Sequence, residues 1–118
     1  KKNKFFKLLP SIRFEYYLTL LKNSDFIIGN SSSGMREAPV YGVPSINLGN
    51  RQKNRIKSTT ILNANYEKKS ILKKISEASK FKKIKKFNFG RGNSAANFLK
   101  LLNKSSFWKI EKQKNFYI

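Results

Sequence analysis

Gly29-Asn30-Ser31-Ser32-Ser33-Gly34-Met35-Arg36-Glu37-Ala38-Pro39-Val40-Tyr41-Gly42-Val43-Pro44-Ser45-Ile46-Asn47-Leu48-Gly49-Asn50-Arg51-Gln52-Lys53-Asn54-Arg55 follows the apolar run Phe26-Ile27-Ile28. The pattern is a strand, a small polar loop from Gly29 to Gly34, a helical segment and a second strand. A loop between strand and helix presents backbone N–H groups to an anion. Ser31, Ser32 and Ser33 add hydroxyls, and Glu37 lies one helical turn further on. Donors for a phosphate beside an acceptor for sugar hydroxyls make a nucleotide-type pocket.

Working outward, Arg13 to Asn23 reads as a helix, with Phe14, Tyr17, Leu18 and Leu21 on one face. Asp25 to Ile28 is a short strand, almost wholly apolar, as expected of a parallel strand covered on both faces. Met35 to Tyr41 is expected to be one helix with Pro39 near its start, and Ser45 to Leu48 the next strand. The β-branched run Thr59 to Leu62 suggests a third strand. Glu67 to Lys80 is a helix that turns Ile71, Leu72, Ile75 and Ala78 inward and its lysines outward. Ser94 to Leu102 is another, with Ala95, Phe98, Leu99 and Leu102 inward and Asn93 as its N-cap. Lys1 to Leu9 suits a strand that turns at Pro10, and Phe107 to Ile118 a last helix. Strands alternating with helices define an α/β fold with a parallel sheet. Gly29, Gly34, Gly42 and Gly49 are read as tight turns.

The chain has 118 residues, enough for one domain, and 39% hydrophobic residues with 10 Phe supply a modest core. It contains no Cys, so this stretch offers no thiol nucleophile or disulfide. It contains no His, the commonest acid–base catalyst and metal ligand. No apolar run approaches a membrane span and no signal peptide is visible, so the expected setting is cytoplasmic. The chain starts at Lys1 and its only Met is Met35. It is therefore expected to be a piece of a longer protein, an interrupted reading frame or a trimmed form.

The Gly29 to Arg55 stretch resembles the nucleotide-binding core of the UDP-N-acetylglucosamine 2-epimerases, and most closely their hydrolysing branch. The likeness extends to Arg13-Phe14-Glu15-Tyr16-Tyr17 and to Gly90-Arg91-Gly92-Asn93-Ser94-Ala95. The non-hydrolysing branch tends to carry an Asp and a Gly pair where this chain has Asn30 and Ser32-Ser33. The hydrolysing branch eliminates UDP from the sugar nucleotide and adds water to the resulting glycal. It yields a 2-epimerised amino sugar, N-acetylmannosamine or its diamino analogue, for nonulosonic acids such as sialic and legionaminic acid. The resemblance implies a fold of two Rossmann-like domains of the GT-B type, of which this chain is an incomplete carboxyl-terminal, nucleotide-binding domain. The 107–118 tail would then dock on the first domain, and the parent would form a homo-oligomer. By position, Ser31 and Ser32 match residues that contact the UDP phosphates, with Ser33 adjacent. Glu37 matches the residue that accepts the ribose hydroxyls, and Arg51 lies near the UDP. Gln52 and Arg55 shape the loop. Arg91 departs from the family, which usually has Asp between the two glycines.

Each residue also has a plainer reading. A Ser triplet caps helices, and a lone Glu is a solvated charge near a helix start; the surrounding motif favours the ligand roles. The family's acid–base groups lie mainly in its first domain. Of the six acidic residues here, none of the other five forms a convincing pair with Glu37. No catalytic residue, metal ligand or cofactor is assigned to this segment. Two alternatives stay open: a non-hydrolysing epimerase or another GT-B nucleotide-sugar enzyme, and a small basic nucleic-acid-binding module. The formal charge is +20. Lys greatly outnumbers Arg, whereas base and phosphate recognition favours Arg, and the aromatics sit at core-type spacing. The expectation is no specific nucleic acid and no membrane. Binding to any polyanion should be weak and collapse as salt is raised to physiological strength; a filter-binding salt series that found tight, sequence-selective binding at that strength would refute this.

Overall fold

The run Val43-Pro44-Ser45-Ile46-Asn47 is buried residue by residue, because it enters and forms the middle strand of the sheet. The computed structural model describes residues 4–52 and 54–109, which fall into two units divided between Asn88 and Phe89. The first unit contains α1 (Phe14–Lys22), β1 (Ile27–Gly29), α2 (Ser33–Arg36), α3 (Ala38–Tyr41), β2 (Ser45–Leu48), β3 (Ile61–Ala64) and α4 (Lys68–Ala78). The strands are parallel in the order β1-β2-β3. Ile28 lies beside Ile46, and Ile46 beside Leu62. This is the α/β parallel sheet that the alternating pattern implies.

Side chains alternate across a strand, so β2 sends Ile46 and Leu48 to one face and Ser45 and Asn47 to the other. Ile46 packs with Ala64 and Ala78, and Phe26, Leu48, Leu62, Ile71 and Ile75 close around them. Full burial of Ile46 contributes on the order of 1.5–3 kcal/mol. A second cluster, Leu21, Ala38 and Val43, gathers Tyr17, Ile27 and Tyr41 where α1 meets α3. Asn47 is fully buried, and its Nδ2 donates to Oδ1 of its register partner Asn63 at 2.8 Å.

Several expectations shift. β1 starts at Ile27, leaving Asp25 outside the sheet. β3 starts at Ile61, because Ser58 to Thr60 form a turn closed by a 2.9 Å hydroxyl–hydroxyl bond. The single helix expected from Met35 to Tyr41 is two helices that begin at Ser33 and break at Glu37. Pro39 cannot donate to the carbonyl of Met35, and its ring crowds that carbonyl. The chain therefore restarts a turn, with the Val40 N–H donating to the Glu37 carbonyl at 3.1 Å. Gly34 sits inside α2 rather than in a turn; a Cβ there would lie 2.2 Å from Ser45 Oγ, so its role is close packing of helix on sheet. Leu72 points outward, 53% exposed, since Ile71, Ile75 and Ala78 already fill the face of α4 that meets the sheet.

Residues 4–9 form no strand, and Phe5, Phe6, Leu8 and Leu9 are exposed. The outer edge of β1 is likewise unpaired among the described residues. The Lys-rich run after α4 is an irregular strap. Its Lys86 N–H donates to the Pro39 carbonyl at 2.8 Å, and Lys83 Nζ reaches the Lys22 carbonyl.

The second unit holds α5 (Ser94–Leu102) and a 3-10 turn, Ser105–Trp108. α5 has the expected bounds, but Asn93 makes no side-chain cap bond. None of its residues is buried, and Phe98 and Leu99 are more than half exposed. The short turn shields little of the helix, although Trp108 Nε1 donates to the Leu102 carbonyl at 2.7 Å. The helix expected for the tail is a 3-10 turn as far as Trp108, and beyond Lys109 it lies outside the described residues. No helix among the described residues is long and apolar enough to cross a membrane.

Gly42 joins α3 to β2 with a φ of 71°, and a Cβ there would come within 2.9 Å of the Lys83–Ile84 backbone. Gly42→Ala should therefore lower unfolding free energy by about 1–3 kcal/mol, from left-handed strain alone before the clash is added. Urea denaturation of the variant reads this directly, and an unchanged midpoint would contradict the packing of the strap.

Candidate functional site

The loop after β1 is built from residues too small to fill the space above it. Ser31, Ser32, Ser33 and Glu37 line a cavity of about 480 Å³ together with Phe14, Tyr17 and Ile27. Four of the five residues singled out from the sequence are thus brought to one place. The cavity's serine loop follows the carboxyl end of β1, the end of a parallel sheet at which α/β proteins bind ligands, and Ile27 at the start of the strand also lines the cavity.

The hydrogen bonds divide the serines. Ser33 Oγ is hydrogen-bonded to the Tyr17 hydroxyl. Ser31 Oγ accepts from the Ser33 N–H at 3.2 Å, so it closes the turn that leads into α2 as well as lining the cavity. The Ser31 and Ser32 backbone N–H groups have no partner among the described residues, and both residues are exposed. Two adjacent free amides with a serine hydroxyl can hold an anion. Glu37 sits at the break between α2 and α3, half-buried. Its backbone is still helical, with its N–H donating to the Ser33 carbonyl at 3.1 Å, so the turn of α2 brings it to the cavity that the serines line.

Arg51 stands apart. It is exposed in the loop after β2 and is not part of the cavity wall. Its neighbour Gln52 is buried, and its Nε2 donates to the Asn30 carbonyl at 3.0 Å, tying that loop to the serine loop. Arg55 is exposed. Two other concavities flank β3, one lined by Asn54, Ile56 to Thr59, Ile61 and Asn63, the other by Gly49, Asn50 and Asn63 to Tyr66. Neither contains a carboxylate. Among the described residues no group of three acidic, His or Cys side chains could hold a metal.

Tyr17 and Phe14 are site residues that sequence reasoning assigned to the core. Their i, i+3 spacing in α1 is that of any buried helix face. The signal for another role was their position just before a strand that opens onto a polar loop. Phe14 is 58% exposed, with its ring stacked on that of Tyr17 at 6.3 Å.

The fold defines an α/β parallel-sheet protein of the Rossmann-like kind, with a cavity beside the loop that leaves its first described strand. Residues 1–103 match the family model described as UDP-N-acetylglucosamine 2-epimerase, and the chain belongs to that family. The UDP-N-acetylglucosamine 2-epimerase of Neisseria meningitidis is 45% identical over 115 residues, covering 94% of this chain and 30% of its own length. The polysialic acid biosynthesis protein P7 of Escherichia coli is 34% identical over 117 residues, covering 95% and 30%. The UDP-N,N'-diacetylbacillosamine 2-epimerase (hydrolyzing) of Legionella pneumophila is 34% identical over 97 residues, covering 81% and 26%. The chain spans at most about 30% of the length of these relatives.

Tyr17→Phe removes the partner of the half-buried Ser33 hydroxyl and should cost about 0.5–1.5 kcal/mol of stability. Equilibrium unfolding tests it; a cost near zero would mean that water replaces the phenol there.

Proposed function

We propose that this segment is the UDP-binding part of a hydrolysing UDP-N-acetylglucosamine 2-epimerase, or of one acting on the diacetylbacillosamine analogue. The observation that carries the reading is the convergence of the free Ser31 and Ser32 amides with Glu37 on one cavity wall. In this reading the amides and the Ser31 and Ser32 hydroxyls hold the diphosphate. Ser33 supports the loop through Tyr17. Glu37 accepts the two ribose hydroxyls, and the Phe14 and Tyr17 rings give the uracil an apolar wall. Arg51, on a long flexible side chain, adds charge to the phosphates from the neighbouring loop.

The hydrolysing branch is supported by the likeness to the Legionella enzyme, whose name carries that activity, and by Asn30 and Ser32-Ser33 in place of an Asp and a Gly pair. In a hydrolysing enzyme UDP leaves as the C1–O bond breaks and C2 loses its proton; water then adds to the resulting glycal, its OH to C1 and a proton to the opposite face of C2, giving a 2-epimerised free sugar. This segment binds and orients. In this reading it contributes no general acid or base, because Glu37, the only carboxylate on the cavity wall among the described residues, is engaged with the ribose. The remaining length of the protein supplies those groups and, in this reading, covers the open edge of β1 and the exposed Phe5 to Leu9. A sugar nucleotide as substrate suits a cytoplasmic enzyme.

Glu37→Ala in the full-length protein should weaken UDP binding by about 1–3 kcal/mol, the range for charge-assisted hydrogen bonds. Calorimetric titration measures it, and equal affinity in variant and wild type would remove the ribose assignment. Product analysis decides the branch: free sugar with UDP supports hydrolysis, whereas an intact epimerised sugar nucleotide would exclude it.

A further inference from the structure

We infer that Gln52 is a positioning residue for the phosphate-binding loop, acting through the Asn30 carbonyl rather than touching the nucleotide; this rests on the UDP reading above. Gln52 is 4% exposed. Its Nε2 donates to the Asn30 carbonyl at 3.0 Å, across 22 residues of sequence. The Asn30–Ser31 peptide is trans, so its carbonyl and its N–H point in opposite directions. Holding the carbonyl toward the buried amide therefore turns the Ser31 N–H away from Gln52. That N–H is one of the two free donors of the loop. A glycine precedes Asn30, and Gly29 has a φ of 152°. Among the described residues, the bond from Gln52 is the one side-chain tether on the Asn30 carbonyl.

The other half of the same side chain argues that stability is not its purpose. Gln52 Oε1 is buried and has no hydrogen-bond partner among the described residues. An unsatisfied buried acceptor is destabilising, and an apolar side chain of similar length would avoid that cost. The Asn30 carbonyl belongs to an exposed residue, which water can reach if the amide is removed. What the carboxamide supplies, and a thioether or alkyl chain cannot, is the orientation of one peptide plane. The same bond links the loop that carries Arg51 to the loop that carries Ser31, so both phosphate-facing elements are held to one reference point.

The test is Gln52→Met in the full-length protein, titrated with UDP and with uridine, alongside thermal unfolding. UDP affinity should fall on the order of tenfold, the loss of about one well-placed hydrogen bond to charge. Uridine affinity and melting temperature should stay at wild-type values. A second variant, Gln52→Glu, should bind UDP poorly at pH 8, where a carboxylate faces the Asn30 carbonyl. It should recover toward the wild-type value measured at the same pH near pH 5, because burial favours the protonated carboxyl, which can donate as the amide does. Should Gln52→Met fail to fold, the Gln52→Glu series decides. Unchanged UDP affinity, an equal loss for UDP and uridine, or a loss that only follows the melting temperature would overturn the inference while leaving the nucleotide reading intact. A wild-type protein that bound no UDP would remove that reading and this inference with it.

Discussion

The coverage of β2 on both faces and both edges is the constraint on which the rest of this structure depends. β1 and β3 flank it in parallel register, α4 covers the face carrying Ile46 and Leu48, and α2 covers the face carrying Ser45. The second contact is the demanding one. Ser45 is small and Gly34 has no side chain, so α2 can lie almost directly on the strand. An Ala at position 34 or a larger residue at 45 would lift α2 and, with it, the loop that precedes it. The position of Ser31 to Ser33 is thus set by packing on the far side of a short helix rather than by the loop's own sequence.

The architecture was legible where local pattern and burial agree. Ser45 to Leu48 reads as a strand and is one, because its alternation and its neighbours' turn residues point the same way. The reading failed where a short-range rule was outweighed. Pro39 was placed near the start of a single helix, which is correct for α3, but the same ring makes the helix from Ser33 end before it. Thr59 and Thr60 have strand propensity, yet hydroxyl bonding with Ser58 draws them into a turn. In α5 the periodicity is strong, and the bounds follow from it. Burial does not follow, because amphipathicity states which face seeks a partner and not whether one is present.

The candidate site shows the same division. Ser31, Ser32, Ser33 and Glu37 were found because a loop and the following turn are close in sequence and therefore close in space. Arg51 was placed beside them by resemblance, and it stands outside the cavity wall in this conformation. Tyr17 is 16 residues from the serine it bonds, and Gln52 is 22 from the carbonyl it holds. Contacts of that range are decided by sheet register and helix docking, so the sequence pointed to a role for Gln52 in its loop without showing the partner of either side chain. Both turn out to be supports for the loop.

This arrangement bears on how binding and chemistry are divided in the proposed enzyme. Every contact offered here, amides to phosphates, a carboxylate to ribose and aromatic rings to a base, is to parts of a sugar nucleotide that are not the reacting carbons. Such contacts bind ground state and transition state alike unless another element converts them into orientation. The leaving group is the exception. When the C1–O bond breaks, negative charge develops on the diphosphate, and donors already fixed toward it stabilise that charge without reorganising. Backbone amides, one of them oriented by a buried tether, are better suited to this than lysines, whose rotamer freedom must be lost on each turnover. The segment carries a formal charge of +20, yet the donors placed at the cavity wall are neutral amides and hydroxyls. Net charge draws an anion toward the protein; fixed dipoles in a defined place decide what the anion gains on arrival.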